Sequence, residues 1–419
     1  MSNLPKGWES VELGSVCKIN GRIGFRGYTV NDLVERNQGG AITLSPSNII
    51  GNKLDLSKCT YISDFKYEES PEIKIFNGDI ILVKTASIGK TALVENLLEK
   101  ATLNPQLVVL KDIKINNVFL SYIISSLIIQ KQIKQTSGGG VLQTLSQKQI
   151  AKYIFPLPPL EEQKKIADIL STVDKKIAFV EENINATEEL KKGLMQKLLT
   201  EGIGHTEFKD SELGTIPQSW EVDAFNNLSI EIIDGDRGIN YPKQNEFSDT
   251  GYCLFLSAKN VTKRGFEFIE KQFITEDKDS LLRKGKLQKK DIVLTTRGTV
   301  GNIAYFNDLI SFENMRINSG MVLLRSSKIN TDYLYKVMNS YIIQNHISNV
   351  AFGSAQPQLT VKEIKTFKIP VPPLEEQKQI AEILSTVDNK LENLKEKKQS
   401  FEELKKGLMQ KLLTGEVRV

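Results

Sequence analysis

The sequence predicts a mixed α/β (α+β) protein: two similar domains joined by two long antiparallel helices, with a pseudo-two-fold internal repeat. The first observation is a stretch that occurs twice, at 156–200 and 370–414, with a constant offset of 214 (370 − 156) and 31 of 45 positions identical. The second is that the segment before each copy is also repeated, but is far more divergent. The third is that short β-branched runs and amphipathic helical patterns occur together in each divergent segment.

These repeats divide the chain of 419 residues, which is too long for one ordinary core, into four parts. Residues 1–155 and 203–369 are predicted to form two variable domains. Residues 156–202 and 370–419 are predicted to form two connector helices. The strand order within the variable domains is not predicted.

The variable domains correspond through short motifs at an offset of 212 residues. The matched motifs are LPKGWE with IPQSWE, LSPSNI with LSAKNV, and GDIILVKTASIGK with KDIVLTTRGTVGN. Residues 80–83 and 292–294 are predicted to be strands, and 117–134 and 331–348 amphipathic helices. Trp8 and Trp220 are expected to anchor the cores of their domains.

Each connector is predicted to be one long helix. A double proline suits the first helical turn, where Glu161 and Glu162 then favour the positive end of the helix dipole. Gly202 and Gly415 stand where a C-terminal cap belongs. The predicted helix-pairing residues recur with 4-3 spacing: Ile166, Leu170, Val173, Ile177, Val180 and Ile184 in the first connector, and Ile380, Leu384, Val387, Leu391 and Leu394 in the second.

The most economical partner for each connector helix is the other copy, and a self-complementary pair of this kind must run antiparallel. At about 1.5 Å per residue, each helix would be about 60 Å long. The connectors are therefore expected to act as a spacer.

Composition narrows the classes of function. The scattered Cys17, Cys59 and Cys253 predict a reducing cytoplasm, no disulfide framework and, with two histidines, no metal site. The most apolar stretch, 119–129, is too short for a membrane span. The net charge of +4 is mild and adds little by itself to an argument for nucleic-acid binding.

Two motifs resemble enzyme sites but are incomplete. The segment 87–91 resembles the end of a phosphate-binding loop, yet Lys84 stands where that loop needs a glycine. The segment 104–107 resembles an amino-methyltransferase motif but lacks its second proline and its aromatic residue. No catalytic residue and no cofactor are therefore predicted.

Three pairs of loops are better candidates for a binding surface. In chain order they are 20–28 with 234–241, 84–87 with 296–299, and 137–140 with 353–356. Glycines allow close approach of the backbone, arginine can contact guanine edges or phosphates, and tyrosine can pack on a sugar or base. The candidates for DNA contact are Arg22, Arg26, Tyr28, Lys84, Ser87, Lys90, Arg237, Tyr241, Lys259, Arg297, Thr299 and Gln356.

Two variable domains, each closed by a Pro-Pro-Leu-Glu-Glu-Gln helix that ends in GLMQKLLT, resemble the specificity (S) subunit of a type I restriction–modification system. The motif GSAQPQLT (353–360) before the second connector adds to this resemblance, which covers essentially the whole chain. The first unit carries only a degenerate form, GGGVLQTLS (138–146).

The resemblance implies that each variable domain is a target-recognition domain for one half of a bipartite, asymmetric double-stranded DNA site. The paired helices would set the spacer and dock two methyltransferase (M) subunits, and restriction (R) subunits would join the full complex. The chain itself would be a non-catalytic subunit. The assembled complex would be an adenine-N6 DNA methyltransferase and an ATP-dependent endonuclease. Two alternatives stay open: an S-like subunit of a bifunctional type II restriction–modification enzyme, and a coiled-coil scaffold that binds only proteins.

Overall fold

The structure, a computed structural model, describes residues 4–137, 144–351 and 357–419. It divides into two compact units. Unit 1 comprises Met1–Glu181 and Glu396–Val419, and unit 2 comprises Glu182–Lys395. Each unit therefore contains one variable domain and a part of each connector.

Unit 1 begins with a variable domain of strands and short helices. Its strands are β1 (Glu9–Glu12), β2 (Lys18–Gly21), β3 (Leu33–Val34), β4 (Ala41–Leu44), β5 (Ile49–Ile50), β6 (Lys53–Leu54), β7 (Tyr61–Ile62), β8 (Ile80–Val83), β9 (Thr91–Leu93), β10 (Ala101–Leu103), β11 (Leu107–Lys111) and β12 (Ile154–Leu157). Its helices are α1 (Leu13–Val16), α2 (Asp64–Glu68), α3 (Asn117–Ser125), α4 (Leu127–Thr136) and α5 (Gln147–Ala151), followed by the connector helix α6 (Leu160–Thr200).

Unit 2 repeats this order after an added hairpin. Its strands are β13 (Phe208–Ser211), β14 (Gly214–Pro217), β15 (Glu221–Ala224), β16 (Ile230–Asp234), β17 (Cys253–Leu256), β18 (Val261–Thr262), β19 (Gly265–Phe266), β20 (Phe273–Ile274), β21 (Ile292–Thr295), β22 (Ile303–Tyr305), β23 (Met315–Ile317), β24 (Met321–Ser326) and β25 (Lys368–Val371). Its helices are α7 (Glu276–Leu281), α8 (Thr331–Met338), α9 (Tyr341–Ala351) and α10 (Val361–Ile364), followed by the connector helix α11 (Leu374–Thr414).

The two variable domains share their sheet topology. An antiparallel sheet has the order β2-β11-β8-β9 in unit 1 and β16-β24-β21-β22 in unit 2. A second sheet contains a parallel pair, β4 with β10 in unit 1 and β17 with β23 in unit 2. The internal repeat predicted from the sequence is thus a repeat of the fold.

Alternate residues of the central strands enter different cores, as the two-residue period of a strand requires. In β8, Ile80 and Leu82 pack in a cluster with α3, α4 and the connector helices, whereas Ile81 and Val83 pack against the second sheet. The strands β21 and β24 divide in the same way between two clusters of unit 2.

The connectors are single helices of 41 residues each, as predicted. Gly202 and Gly415 follow them with φ of 67° and 75°, the left-handed conformation that ends many helices. The 4-3 residues that we predicted for pairing are buried, except Ile177 and Leu394, which are half-buried.

In each unit the two connector segments run antiparallel. In unit 1, Asp174 lies 2.6 Å from Lys405, and Glu181 lies 2.8 Å from Lys398. In unit 2, Lys191 and Lys395 are paired with Asp388 and Glu188 at 2.6 and 3.3 Å, so one helix again ascends in number as the other descends.

The helices predicted at 117–134 and 331–348 are each interrupted, so the prediction of two continuous helices was wrong. Ser126 ends α3 by donating its hydroxyl to the Ile123 carbonyl, and the same hydroxyl accepts from the Ile128 N–H to cap α4. Ser340 is buried between α8 and α9 and donates to the Val337 carbonyl. These hydroxyls satisfy backbone groups that a continuous helix would have paired internally.

The repeated Leu-Glu-Glu-Gln motif fixes each variable domain on its connector. The second glutamate accepts a hydrogen bond from a tryptophan indole: Trp8 Nε1 to Glu162 at 3.1 Å, and Trp220 Nε1 to Glu376 at 2.9 Å. Both tryptophans are buried, with exposed fractions of 6% and 0%. They anchor their domains as predicted, through a polar contact as well as by burial.

The glutamine of the motif holds the start of a domain helix. The side chain of Gln163 accepts from the N–H of Asn116, which caps α3, at 3.0 Å. Gln377 accepts from the N–H of Asn330, which caps α8, at 2.9 Å. Because both glutamines are buried, these contacts orient the domain helix on the connector.

Midway along the row of 4-3 residues in each connector helix, an aspartate bridges the variable domain and both connector segments. In unit 1, Asp174 accepts from the Tyr122 hydroxyl at 2.7 Å and pairs with Lys405. In unit 2, Asp388 pairs with Lys336 and Lys191 at 2.7 and 2.6 Å. The repeat thus keeps the acceptor and changes one donor from a tyrosine to a lysine.

Candidate nucleic-acid interface

In each unit, two of the predicted loops leave the antiparallel sheet at the same edge. Gly21, at the end of β2, pairs with Val108, and Val83, at the end of β8, pairs with Leu107. Because β11 is antiparallel to both neighbours, the ends of β2 and β8 lie on either side of its start. The start of β24 lies between the ends of β16 and β21 in the same way.

A tight turn before this central strand is hydrogen-bonded to the second loop in each unit. In unit 1 the Lys84 N–H donates to the Gln106 carbonyl at 2.9 Å, and in unit 2 the Thr296 N–H donates to the Gly320 carbonyl at 2.8 Å. Asn104 closes the unit 1 turn by accepting from the Gln106 N–H. The segment that resembled a methyltransferase motif is therefore a turn between β10 and β11.

The third predicted loop ends beside this edge. The Leu145 N–H donates to the Lys84 carbonyl at 2.8 Å, and the Leu359 N–H donates to the Thr296 carbonyl at 3.0 Å. Gln356 and the glycine-rich stretches of this loop lie outside the residues that the structure describes.

Arg22 lies inside the domain rather than on its surface. Its guanidinium donates to the carbonyls of Leu103 and Arg26 and to the Thr102 hydroxyl, and its side chain stacks over the Tyr28 ring. Burial lowers the pKa of Arg22. These contacts favour a role in shaping the loop, so direct DNA contact by Arg22 stays a prediction.

The neighbouring candidates in this loop are also partly engaged. Arg26 is half-buried and lies 3.5 Å from the Glu72 carboxylate. The Tyr28 hydroxyl lies 3.3 Å from the Thr43 hydroxyl. The first loop of unit 1 is thus tied to the domain at several points.

The second loop of unit 1 presents its candidates to solvent. Ser87 and Lys90 are exposed and Lys84 is half-buried. Ala86 has φ of 67°, matching Gly298 at 74° in unit 2, so both loops make the same turn. This conformation is strained for alanine and is natural for glycine.

Two further lysines line the same side of unit 1 and were missed from the sequence. Lys131 and Lys134 of α4 line one groove with Ser87 and Lys90. The sequence does contain a signal for a basic surface here, because no Asp or Glu occurs from residue 113 to residue 160. An amphipathic helix pattern gave no reason to single out its exposed lysines.

In unit 2, two arginines meet at the turn before β24. The Arg237 guanidinium donates to the Ser319 carbonyl at 3.3 Å, and the Arg297 N–H donates to the Gly320 carbonyl at 3.2 Å. Both side chains are exposed, as is Thr299. Across the described ranges, the Arg297 guanidinium has no hydrogen-bonding or ionic partner.

The remaining two candidates of unit 2 lie further from this turn. Tyr241 is half-buried and packs edge-on against Phe255, with ring centroids 5.7 Å apart. Lys259 is exposed and lies 2.6 Å from the Glu270 carboxylate. Contact with DNA by either residue stays a prediction.

The described part of the chain contains no group of His, Cys, Asp and Glu side chains that could hold a metal ion. Burial raises the pKa of the Cys17 and Cys253 thiols to about 12, so both stay protonated near neutral pH. No helix among the described residues is long and apolar enough to span a bilayer.

Comparison with known proteins assigns the family. Residues 5–189 and 231–403 match the family described as the type I restriction modification DNA specificity domain. The chain is 31% identical over 434 residues to the putative type I restriction enzyme MjaX specificity subunit of Methanocaldococcus jannaschii, covering 100% of this chain and 96% of the relative. It is 29% identical to the MjaVIII specificity subunit of the same organism, covering 99% and 94%.

Solved structures share the fold. The type I restriction–modification S subunit from M. genitalium aligns with a TM-score of 0.59 and 16% identity, covering 99% of this chain and 97% of that one. A chain from a study of complex assembly in a type I restriction–modification system aligns with a TM-score of 0.58 and 18% identity over both full lengths. With the sequence matches, these findings favour the DNA-recognition interpretation over the type II and scaffold alternatives. The chain belongs to the family of type I restriction–modification DNA specificity subunits.

Proposed function

We propose that each unit recognises one half of a bipartite, asymmetric DNA site through the sheet edge described above. This proposal rests on one observation: the same edge, built by the same strands and turn, occurs twice with different exposed side chains. A shared scaffold with different contact residues suits two half-sites of different sequence.

The exposed side chains have the chemistry that such recognition needs. Arg297 offers a guanidinium with no partner among the described residues, and such a group can donate two hydrogen bonds to a guanine edge or bind a phosphate. Ser87 and Thr299 offer hydroxyls that can donate or accept. Backbone contacts position the protein on DNA, while base contacts provide specificity.

The connector helices would set the distance between the half-sites and dock two methyltransferase subunits. Their continuity over 41 residues each supports a role as a rigid spacer. The chain would supply no catalytic residue. Adenine-N6 methylation, and ATP-dependent cleavage once restriction subunits join, would be carried out by the partner subunits in the cytoplasm.

The direct test is to map methylated adenines across the genome with and without this gene. We expect one bipartite motif, with two defined half-sites and an unspecified spacer, to lose methylation when the gene is deleted and to regain it on complementation. An unchanged methylation pattern would overturn the proposal.

Inserting one heptad after Val180 and one after Leu394 tests the spacer role, because the 4-3 phase is preserved on both helices. Each helix lengthens by about 10 Å, which corresponds to about three base pairs of DNA. The methylated motif should keep both half-sites and gain about three unspecified positions. An active double-insertion variant that methylates the original spacing would show that the helices do not set it.

A further inference from the structure

A basic groove of unit 1 has no basic counterpart among the equivalent described residues of unit 2. It lies between residues 86–90 and α4, has a volume of about 650 Å³, and is lined by Lys90, Lys131 and Lys134. None of its described lining residues carries a carboxylate. Ser87, a candidate for DNA contact, lines the same groove. The groove is therefore continuous with the loop at the proposed recognition edge.

These three lysines do not stabilise the fold through ion pairs or hydrogen bonds of their ammonium groups with the described residues. Among the residues that the structure describes, none pairs with the ammonium groups of Lys90, Lys131 or Lys134. Lys131 and Lys134 are three residues apart on one helix, where like charges destabilise slightly. Such a cluster without a partner favours an external anion.

The equivalent positions in unit 2 follow from a repeated hydrogen bond. The Gln130 side chain of α4 donates to the Gly89 carbonyl at 2.9 Å, and the Gln344 side chain of α9 donates to the Gly301 carbonyl at 3.4 Å. This contact aligns α4 with α9 and the loop of one unit with that of the other. The groove lysines then correspond to Asn302, Asn345 and Ser348, all uncharged.

We propose that this groove binds the sugar–phosphate backbone of DNA beside the half-site of unit 1, an inference that rests on the proposed function. Unit 1 would then contribute more of the salt-dependent, sequence-independent affinity than unit 2. DNA is favoured over an acidic protein because the groove shares its loop with the recognition edge. The N–H groups of Ala86 and Ser87, which have no acceptor in the described ranges, would add donors for a phosphate.

The test is the salt dependence of DNA binding by the assembled methyltransferase complex that contains Lys90→Gln, Lys131→Gln and Lys134→Gln. Each phosphate contact contributes about 0.9 to the slope of log affinity against log salt, so the slope should fall by about 2 to 3. Affinity should fall equally for target and unrelated duplexes, and the methylated motif should not change.

A charge-matched control replaces three lysines of unit 1 that are exposed and lie outside the groove: Lys6→Gln, Lys58→Gln and Lys152→Gln. Its slope should change by less than about 1, since these side chains are not expected to contact phosphates. A transplant, Asn345→Lys with Ser348→Lys in unit 2, should raise the slope by about 1 to 2 without altering the motif.

Each failure has a distinct meaning. If the triple groove variant keeps the wild-type slope and motif, the groove does not contact DNA, and the proposed function is untouched. If the variant instead loses assembly with the methyltransferase, the groove binds an acidic protein surface and the DNA proposal is wrong. If the wild-type complex methylates no defined motif, the proposed function fails whatever the groove variants do.

Discussion

Units 1 and 2 keep the same carboxylate where the variable domain meets the connector, but pair it with different side chains. In unit 1, the Arg418 guanidinium donates to Glu162 at 2.9 Å. In unit 2, His205 Nε2 lies 2.8 Å from Glu376. Both Arg418 and His205 lie in a segment that follows the end of a connector helix. The duplicated fold therefore retains the carboxylate, glutamine and tryptophan positions that fix the domain, while the other partners of the carboxylate have diverged.

The same rule extends to the proposed recognition edge, where the backbone is retained and the exposed side chains are not. Unit 1 presents lysines along α4, whereas unit 2 presents Arg237 and Arg297 beside the turn. A retained scaffold with altered surface residues is what separate half-sites require. Retained and altered positions should therefore differ in their effects on stability and on DNA binding.

The largest expected difference is in the free energy of unfolding, between the variant Asp388→Asn in unit 2 and the variant Asp174→Asn in unit 1. Burial alone would raise the pKa of Asp388, but hydrogen bonds from Lys191 and Lys336 hold it below its ordinary value. Removing this charge leaves Lys336, whose side chain is only 7% exposed, without a counter-charge. We expect a loss of about 2–3 kcal/mol in the free energy of unfolding of unit 2.

Asp174→Asn should lower the free energy of unfolding of unit 1 by only about 1 kcal/mol, because the neutral Tyr122 hydroxyl can still donate to the amide oxygen. Hydrogen exchange of α3 and α8, measured in both variants, reports the stability of each unit separately. Equal losses in the two units would contradict the claim that the change of donor matters.

The next prediction contrasts a buried arginine with an exposed one. Arg22→Met should lower the free energy of unfolding by about 2 kcal/mol, because three hydrogen-bond acceptors inside the domain lose their donor. Arg297→Ala should leave stability unchanged but weaken DNA binding by the assembled complex by about 1–3 kcal/mol if it contacts a base.

Denaturant unfolding and DNA titration of both variants separate these roles. For Arg297→Ala, loss of preference at one base position would indicate base contact, whereas equal weakening for every sequence would indicate phosphate contact. Unchanged DNA binding in this variant would indicate that the loop is an ordinary solvated turn. Full stability of Arg22→Met would show that the buried contacts contribute little.

The smallest expected effect concerns the tie between the C-terminal segment and unit 1. A hydrogen bond from Arg418 lowers the pKa of the Glu162 carboxyl. The resulting stabilisation is present above the ordinary glutamate pKa and is lost as pH falls through the lowered value. We expect residues 415–419 to stay docked at neutral pH and to be released only below the ordinary range for glutamate.

The NMR signal of the Trp8 indole N–H, followed from pH 7 downward, checks this release. Glu162→Gln should remove the transition and cost about 1 kcal/mol. Glu161→Gln, at a neighbouring position whose side chain is 81% exposed, serves as the matched control and should retain it. A Trp8 signal that responds to pH identically in all three proteins would contradict the assignment.

The sequence was sufficient for the features that repeat as a pattern. The connector helices follow from 4-3 spacing, and the strands at 80–83 and 292–294 follow from β-branched runs. The breaks at Ser126 and Ser340 were missed, because a capping serine within an amphipathic pattern is indistinguishable from a serine on the helix surface.

The candidate site was less predictable, because it depends on which side chains the fold leaves free. Arg22 and Arg297 are equally plausible in the sequence, yet one is 6% exposed and bonded internally while the other is free in the described ranges. Identity between the repeats at Glu162 and Gln163 was visible beforehand. Their partners, Trp8 and Asn116, were not, since those contacts join residues far apart in sequence.

We propose that the two variable domains recognise their half-sites independently on a retained scaffold. This independence is tested by exchanging residues up to 155 for the equivalent domain of another member of the family and mapping the methylated motif of the assembled complex. We predict that one half-site changes while the other half-site and the spacer length are retained. A chimera that remains active and changes both half-sites, or neither, would contradict the account.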